Sequence, residues 1–433
     1  MDNALCCINS FPQIDRVPIM STRLITSLVL SCACVAQYPG KALSDYVHAN
    51  ERFGRKLLLT LHEAEPDMNI AISPFPLSQA FGALTEGTSD RTTLLELLSV
   101  FEWQDQPFRG VASRMLSARI PSEKMPPRDQ TQRPAPKRPP APIVEPTKPF
   151  VPLSQSTIFL YHGKGLLTDR FTDKASFDYG IQFQEAKPGE PLVPPDPTAR
   201  ELYGPNGGVL NFSITSFTDL RTAWIGELFK LSSPKLSFAL RTGGKLEVDQ
   251  MVSDIRKFRH ASNEEFEAVE LSTGEAYLLV VLPAVGKDIV ELEKQIAGEK
   301  MDLETILKSE LGDVTLPIFR IQTREDLRPP LQRLGLKKVF SDPESQRAMV
   351  NTPLGANLVT ALQQVDLDVD QWGIKARAVT FIGGVLGGIM GGSMSPPDQP
   401  FHMVVNRPFL FFIRDNATDS LLFVGAEMNP TKR

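Results

Sequence analysis

The segment from Val369 to Pro430 sets the strongest constraint on the fold. Two strand-like stretches enclose a long loop in which Ala378–Pro397 is uncharged throughout and studded with glycine pairs. The first stretch is VDQWGIKARAVT (Val369–Thr380), the loop continues FIGGVLGGIMGGSMSPPDQP (Phe381–Pro400), and the chain returns as FHMVVNRPFLFFIRDNATDSLLFVGAEMNP (Phe401–Pro430). On the return, the aromatic and branched runs Pro408–Arg414 and Ser420–Val424 flank a polar turn, Asp415–Asp419. That is the pattern of adjacent antiparallel strands in a buried hairpin.

Successive residues of a strand face opposite ways, so Ile374, Ala376, Ala378, Thr380 and Ile382 would share one face and Lys375, Arg377, Val379, Phe381 and Gly383 the other. The first face is small and apolar; the second carries both charges. With Ile374 inward, the charges stay in water. The opposite register would bury a charge at a cost of roughly several kcal/mol, comparable with a few ladder hydrogen bonds at about 0.5–1.5 kcal/mol each. The stretch is therefore able to enter a sheet as a strand.

Several motifs in order resemble the serpin family. NRPFLFFIRDNATDSLLFVGAEMNP is similar to the family's C-terminal signature, and NIAISPFPLSQAFGALTEGTSDRT (Asn69–Thr92) to its N-terminal helix and Gly-x-x-x-x-Thr exit. EFEAVELSTGEAYLLVVLP (Glu265–Pro283), VTLPIFRIQTREDL (Val314–Leu327) and LQRLGLKKVFSD (Leu331–Asp342) fall where a serpin has its middle strands and a Leu-Gly helix. The resemblance implies an α+β fold with large, mixed but mainly antiparallel sheets, about eight helices and an exposed reactive-centre loop. Its expected layout is a leader at 1–36 and one domain at 37–432, with a proline-rich insertion at 125–152 and the loop at 373–400.

The resemblance further implies a serine-type endopeptidase inhibitor acting as a suicide substrate. The loop is cut by a serine protease, and its N-terminal half then inserts into the main sheet. The hinge of that movement would be Gly373, Ile374, Lys375, Ala376, Arg377, Ala378, Val379 and Thr380. The family hinge reads roughly Glu-Glu-Gly-Thr-Glu-Ala-Ala-Ala-Ala-Thr. Gly373, Ala376, Ala378 and Thr380 agree with it, whereas Trp372, Lys375 and Arg377 are bulky where small or acidic residues are usual. Such a hinge is expected to move slowly. The family's spacing, counted from Gly373, implies a scissile bond near Leu386, Gly387 and Gly388; counted back from Phe401 it implies Met394–Ser395, because this loop is about ten residues longer than is usual in the family. Leu386 or Met390 before the bond suits a chymotrypsin- or elastase-like enzyme, and Ala378–Pro400 holds no Lys or Arg for a trypsin-like one. The alternative is a non-inhibitory binding or scaffold protein whose loop is a substrate or a partner-binding segment.

Lys plus Arg number 46 against 51 Asp plus Glu, a net charge of −5 spread along the chain, which argues for no nucleic-acid partner. All four cysteines (Cys6, Cys7, Cys32 and Cys34) precede the folded body, so no disulfide framework or thiolate site is expected there. Arg23, the apolar run Leu24–Ala36 and the small-x-small triplet Cys34-Val35-Ala36 read as an export signal beginning at Met20, and the protein as secreted, or periplasmic or surface-held in a bacterium.

Leu43–Glu63 has helical spacing, Asn69–Ile72 reads as a short strand, and a helix is expected from near Pro74 and another over Thr92–Phe101. Met125–Pro152 holds ten prolines and is expected as an extended spacer. Ser156–Tyr161 reads as a strand, Leu166–Tyr179 as a short helix and Ile181–Phe183 as a strand. Lys187–Gly208 is broken by Pro and Gly where a serpin carries a helix across its main sheet, leaving at most Thr198–Tyr203 helical. Phe212–Trp224 corresponds to the family's central strand, with Trp224 as its closing residue and Thr215 in place of a preferred Asn.

Other chemistry is poorly supported. Ser232-Ser233-Pro234-Lys235 and Arg241-Thr242-Gly243 mimic penicillin-site motifs but lie too close together. His48, His62, His162, His260 and His402 show no metal-ligand spacing and read as surface or half-buried side chains, so no metal and no cofactor is expected. Gly383, Gly387 and Gly391 have the GxxxG spacing of a membrane helix. That reading is disfavoured because both flanks of the loop are expected in one sheet, which cannot straddle a bilayer. A monomer is expected, with loop–sheet pairing as the route to self-association.

Overall fold

The computed structural model describes residues 22–103, 109–119, 153–187, 192, 212–298, 303–352, 355–356, 358, 361–378 and 399–432. The first helix, α1 (Thr22–His62), takes in both the segment read as an export signal and the amphipathic Leu43–His62. After β1 (Ile70–Ile72), α2 (Pro74–Gly87) starts on two prolines in its first turn, where the missing N–H groups leave no helical bond unmade. The next helix, α3 (Arg91–Val100), is capped by the Asp90 carboxylate, which accepts from Thr93 N at 2.7 Å; α4 covers Arg109–Arg119. Then come β2 (Leu153–His162), α5 (Asp169–Tyr179) and β3 (Ile181–Ala186). Helix α5 is capped by Thr168 and stopped by Gly180 in the left-handed conformation that glycine adopts without steric cost.

Strands β4 (Phe212–Ala223) to β9 follow: β5 (Phe229–Ala239), β6 (Lys245–Ser253), β7 (Arg256–Ser262), β8 (Phe266–Ser272) and β9 (Ala276–Pro283). The remaining strands are β10 (Lys308–Pro317), β11 (Phe319–Asp326), β12 (Leu362–Asp370), β13 (Gly373–Ala378), β14 (Phe401–Val404), β15 (Phe409–Asp415) and β16 (Leu421–Glu427).

The strands form two sheets. One has the order β1-β16-β15-β9-β8-β7-β10-β6-β5, with β14 paired to β10; the other is β11-β12-β13-β4-β2-β3. The hairpin β15–β16 is buried along its whole length, with α1 and α2 packed on β16 and β11 against β1. Gly425 is required there, since a Cβ would sit 2.1 Å from the carbonyl oxygen of Ile70 on β1. One charge in this core is partnered across elements: buried Arg414 meets Glu51 of α1, which also holds Arg55. Unpaired, such a charge would be strongly destabilising.

Two expectations need correction. The loop's flanks do not share a sheet: β13 lies in the six-stranded sheet, whereas β14 pairs in parallel with β10 in the other. And His62 and His260 are buried, at 0% and 4% exposure, because each meets a carboxylate: His62 Nδ1 lies 2.6 Å from Glu293 and His260 Nδ1 2.7 Å from Glu310.

Candidate functional site

The site is β13 and its surroundings. Strand β12 alternates strictly, with Val365, Leu367 and Val369 fully buried and Asp366, Asp368 and Asp370 on the opposite face. At its end Asp370 organises the reversal: its Oδ1 accepts from the backbone N–H of Trp372 at 2.8 Å and of Gly373 at 3.2 Å. Trp224, just past β4, closes the same corner. Its indole Nε1–H donates to Asp370 O at 2.8 Å and its backbone N–H to Trp372 O at 3.3 Å. The Trp372 side chain is 70% exposed.

From this turn β13 runs between β12 and β4, antiparallel to both. Asp370 pairs with Gly373 and Asp366 with Arg377 on one side; Ala223 pairs with Gly373 and Thr218 with Ala378 on the other. Gly373 passes so close to β4 that a Cβ would lie 2.1 Å from Thr222 O. Ile374 and Ala376 are fully buried against the core, and Lys375 faces away, its Nζ 2.9 Å from Asp370 Oδ2. Gly373–Ala378, the described part of the expected hinge, is thus a strand of the sheet in the uncut chain. Among the described residues β12 and β4 are not paired with each other, and β4 from Phe212 to Phe217 lies beyond the last β13 partner.

The far end of the loop is anchored separately. Phe401 begins β14, facing Gly312 of β10, and packs beside Phe258 and His260 of β7. Burial alone would lower the pKa of His260, but the carboxylates of Glu267 and Glu310 outweigh it and raise the value above the ordinary 6.5.

Of the residues expected to matter, Gly373 to Ala378 come together as this strand, the side chains of Arg377 and Ala378 being outside the description. Val379, Thr380, Leu386, Gly387, Gly388, Met390, Met394 and Ser395 lie outside the described residues, as do Thr198–Tyr203, the proline-rich segment 125–152 and the side chain of Thr215. The aspartates of β12 were not singled out, although the alternation Val365-Asp366-Leu367-Asp368-Val369-Asp370 was there to find. Among the described residues no group of three or more His, Cys, Asp or Glu could hold a metal ion, and no helix is long and apolar enough to cross a membrane.

The two-sheet architecture, with β13 seated between the second and fourth members of the six-stranded sheet, agrees with the comparisons. Residues 220–430 match the serpin (serine protease inhibitor) family model. The solved structure "Cleaved Serpin 42Da" superposes with a TM-score of 0.68 at 14% identity, over 90% of this chain and all of that one. The chain has the serpin fold. Among curated relatives it is 29% identical to "Probable serpin E3" of Danio rerio over 51% of this chain, and 23% identical to "Iripin-8" of Ixodes ricinus over 87% of this chain and 92% of that one. The chain spans about half the length of the first of these relatives, 53%. The serpin resemblance of the motifs and the α+β architecture with large antiparallel sheets both hold.

Proposed function

We propose that this serpin-fold chain inhibits serine endopeptidases as a suicide substrate. The observation that carries the reading is the seating of β13, with Ile374 and Ala376 in the core and Lys375 in water. That is the register in which further loop residues could follow into the sheet.

In this mechanism the protease's serine Oγ attacks the scissile carbonyl of the loop. The peptide C–N bond breaks, the leaving amine takes a proton from the protease's histidine, and an ester joins the loop to the enzyme. Freed at the cut, the N-terminal half extends β13 along β4, adding ladder hydrogen bonds and carrying the protease with it. The ester outlives the insertion only if insertion is faster than attack by water. Serpins are in general inhibitors rather than enzymes, and this chain is read the same way. The candidate bonds are those around Leu386–Gly387–Gly388 and Met394–Ser395, which favour chymotrypsin- or elastase-like targets, and the segment Leu24–Ala36 favours an exported protein.

A second reading has its own observation. Ile374 is fully buried and Trp372 sits at the turn, so the hinge is bulky and tightly held. A binding or scaffold protein whose loop is cleaved without trapping would tolerate that. Mixing the protein with elastase and with chymotrypsin, followed by a denaturing gel and mass spectrometry of the cut, decides between them. A complex stable to SDS, with a cut between Gly383 and Ser395, supports the inhibitor. Cleavage with neither complex nor gain in thermal stability overturns it.

A further inference from the structure

Lys375 and Arg377 are the two hinge residues that depart most from the family pattern, and both fall in register with acids contributed by the sheet. Arg377 pairs with Asp366 on β12 and with Asp219 on β4, and Asp219 is itself 2% exposed. Lys375 pairs with Asp368 on β12 and with Arg221 on β4, and its Nζ turns to Asp370 at 2.9 Å.

Among the described residues, Arg221 and Arg320 stand beside the row of Asp219, Asp366, Asp368 and Asp370. Arg221 lies 3.6 Å from Asp219 and Arg320 of β11 lies 3.2 Å from Asp368. Asp366 otherwise accepts from the side-chain amides of Gln322 and Gln364 at 2.7 and 3.2 Å. Lys375 supplies a third cation at Asp370, and Arg377 takes the register position opposite Asp366 and Asp219. Without β13, the four carboxylates would border a gap with Arg221 and Arg320 beside them among the described residues, and like charges so placed repel.

We propose that Asp366, Asp368 and Asp370 of β12 and Asp219 of β4 form a ladder that holds the basic hinge residues Lys375 and Arg377 in the sheet of the uncut chain, setting a salt-sensitive equilibrium between seated and released hinge. The proposal deepens the loop-insertion reading and rests on it for its consequence. A hinge held at rest leaves the loop shorter and less available to a protease, and the same charges favour the inserted state after the cut. The basic residues that would slow a family-type hinge thus have partners built for them.

Hydrogen–deuterium exchange of the full chain, at low salt and in 1 M KCl, tests it through the amides of residues 374–378. In the wild type these amides are protected at low salt and exchange roughly tenfold faster in high salt, the size expected from losing several partly screened ion pairs. The double variant Lys375→Ala/Arg377→Ala exchanges that fast at low salt and gains little more from salt, while Arg377→Lys keeps the wild-type behaviour and the amides of β15 and β16 are unchanged throughout. Should the double variant misfold, the salt dependence of the wild type decides alone. Hinge amides indifferent to salt, or equally protected in the double variant, overturn the proposal. Trapping of elastase is scored in parallel: a chain that traps nothing yet shows the salt-dependent hinge keeps the ladder and loses the inhibitor reading, and a trapping chain with an indifferent hinge does the reverse.

Discussion

The imidazole of His260 lies flat against the ring of Phe401, their centroids 3.7 Å apart and their planes 4° from parallel. Glu310 Oε2 stands 2.7 Å from Nδ1, Glu267 Oε1 3.1 Å from Nε2, and Lys308 is in register with His260 across β10. A protonated ring can donate to both carboxylates and present its charge to the aromatic face; a neutral ring must turn an acceptor toward one of them. Because the folded pKa is raised above 6.5, the stabilisation is fully present below that value and is lost as pH climbs through the raised one. The apparent Tm, followed from pH 5.5 to 8.5, is expected to fall across this window in the wild type. In His260→Ala the value at pH 6 should be lower and the slope flatter; an unchanged slope would sink the assignment.

Gly312 opens the slot that Phe401 occupies. A Cβ there would lie 2.3 Å from the Phe401 ring, so Gly312→Ala must displace the ring or the strand that carries it. Overpacking of this kind costs about 1–3 kcal/mol. The expected result is a lower Tm together with faster amide exchange over Phe401–Val404, and wild-type exchange in β14 would contradict it.

What was legible in the sequence was local. The apolar runs around Asp415–Asp419 specify a hairpin that the structure places at β15 and β16, and Phe212–Trp224 proves to hold the strand beside the hinge, Phe212–Ala223, because hydrophobic pattern and turn chemistry act over a few residues. What was not legible depends on partners far along the chain. Lys375 looks like an obstacle until Asp368 is in register with it, and Arg377 until Asp219 and Asp366 are. His62 looks like a surface residue until Glu293, distant by 231 positions, comes to meet it. The parallel pairing of β14 with β10 likewise has no local signature, since it joins segments with some ninety residues between them.

Glu427 is fully buried at the end of β16, where burial raises its carboxyl well above the usual value against the opposing hydrogen bonds from Asn429 N and the Asn69 side chain. A raised carboxyl pKa means that the folded chain keeps a proton the unfolded chain releases. Stability is therefore fully present below about 4.5 and declines as pH rises from there toward the raised value. Glu427→Gln removes the titration while keeping the shape. It is expected to raise the apparent Tm at pH 7 by a few degrees, about 1 kcal/mol for a large domain, and to leave it nearly unchanged at pH 4. A Tm that falls equally at both pH values would show that the carboxyl acts through its hydrogen bonds alone.

The hinge passes close against its neighbour at Gly373, where a methyl group would meet Thr222 O at 2.1 Å and Ala223 Cα at 2.8 Å. Both are backbone atoms of β4, a strand fixed on its other side by β2, so neither can yield. Gly373→Ala is therefore expected to unseat the first hinge pair at a cost of about 2 kcal/mol, loosening Ile374 from the core while leaving the β15–β16 hairpin intact. Two measurements follow from this. Amides 374–378 should exchange faster than in the wild type, and if insertion competes with hydrolysis of the acyl-enzyme, a larger share of the chain should emerge cleaved and a smaller share trapped with elastase. Faster exchange with an unchanged ratio of trapped to cleaved chain would separate the seating of the hinge from the trapping step; protected hinge amides in the variant would refute the close approach itself.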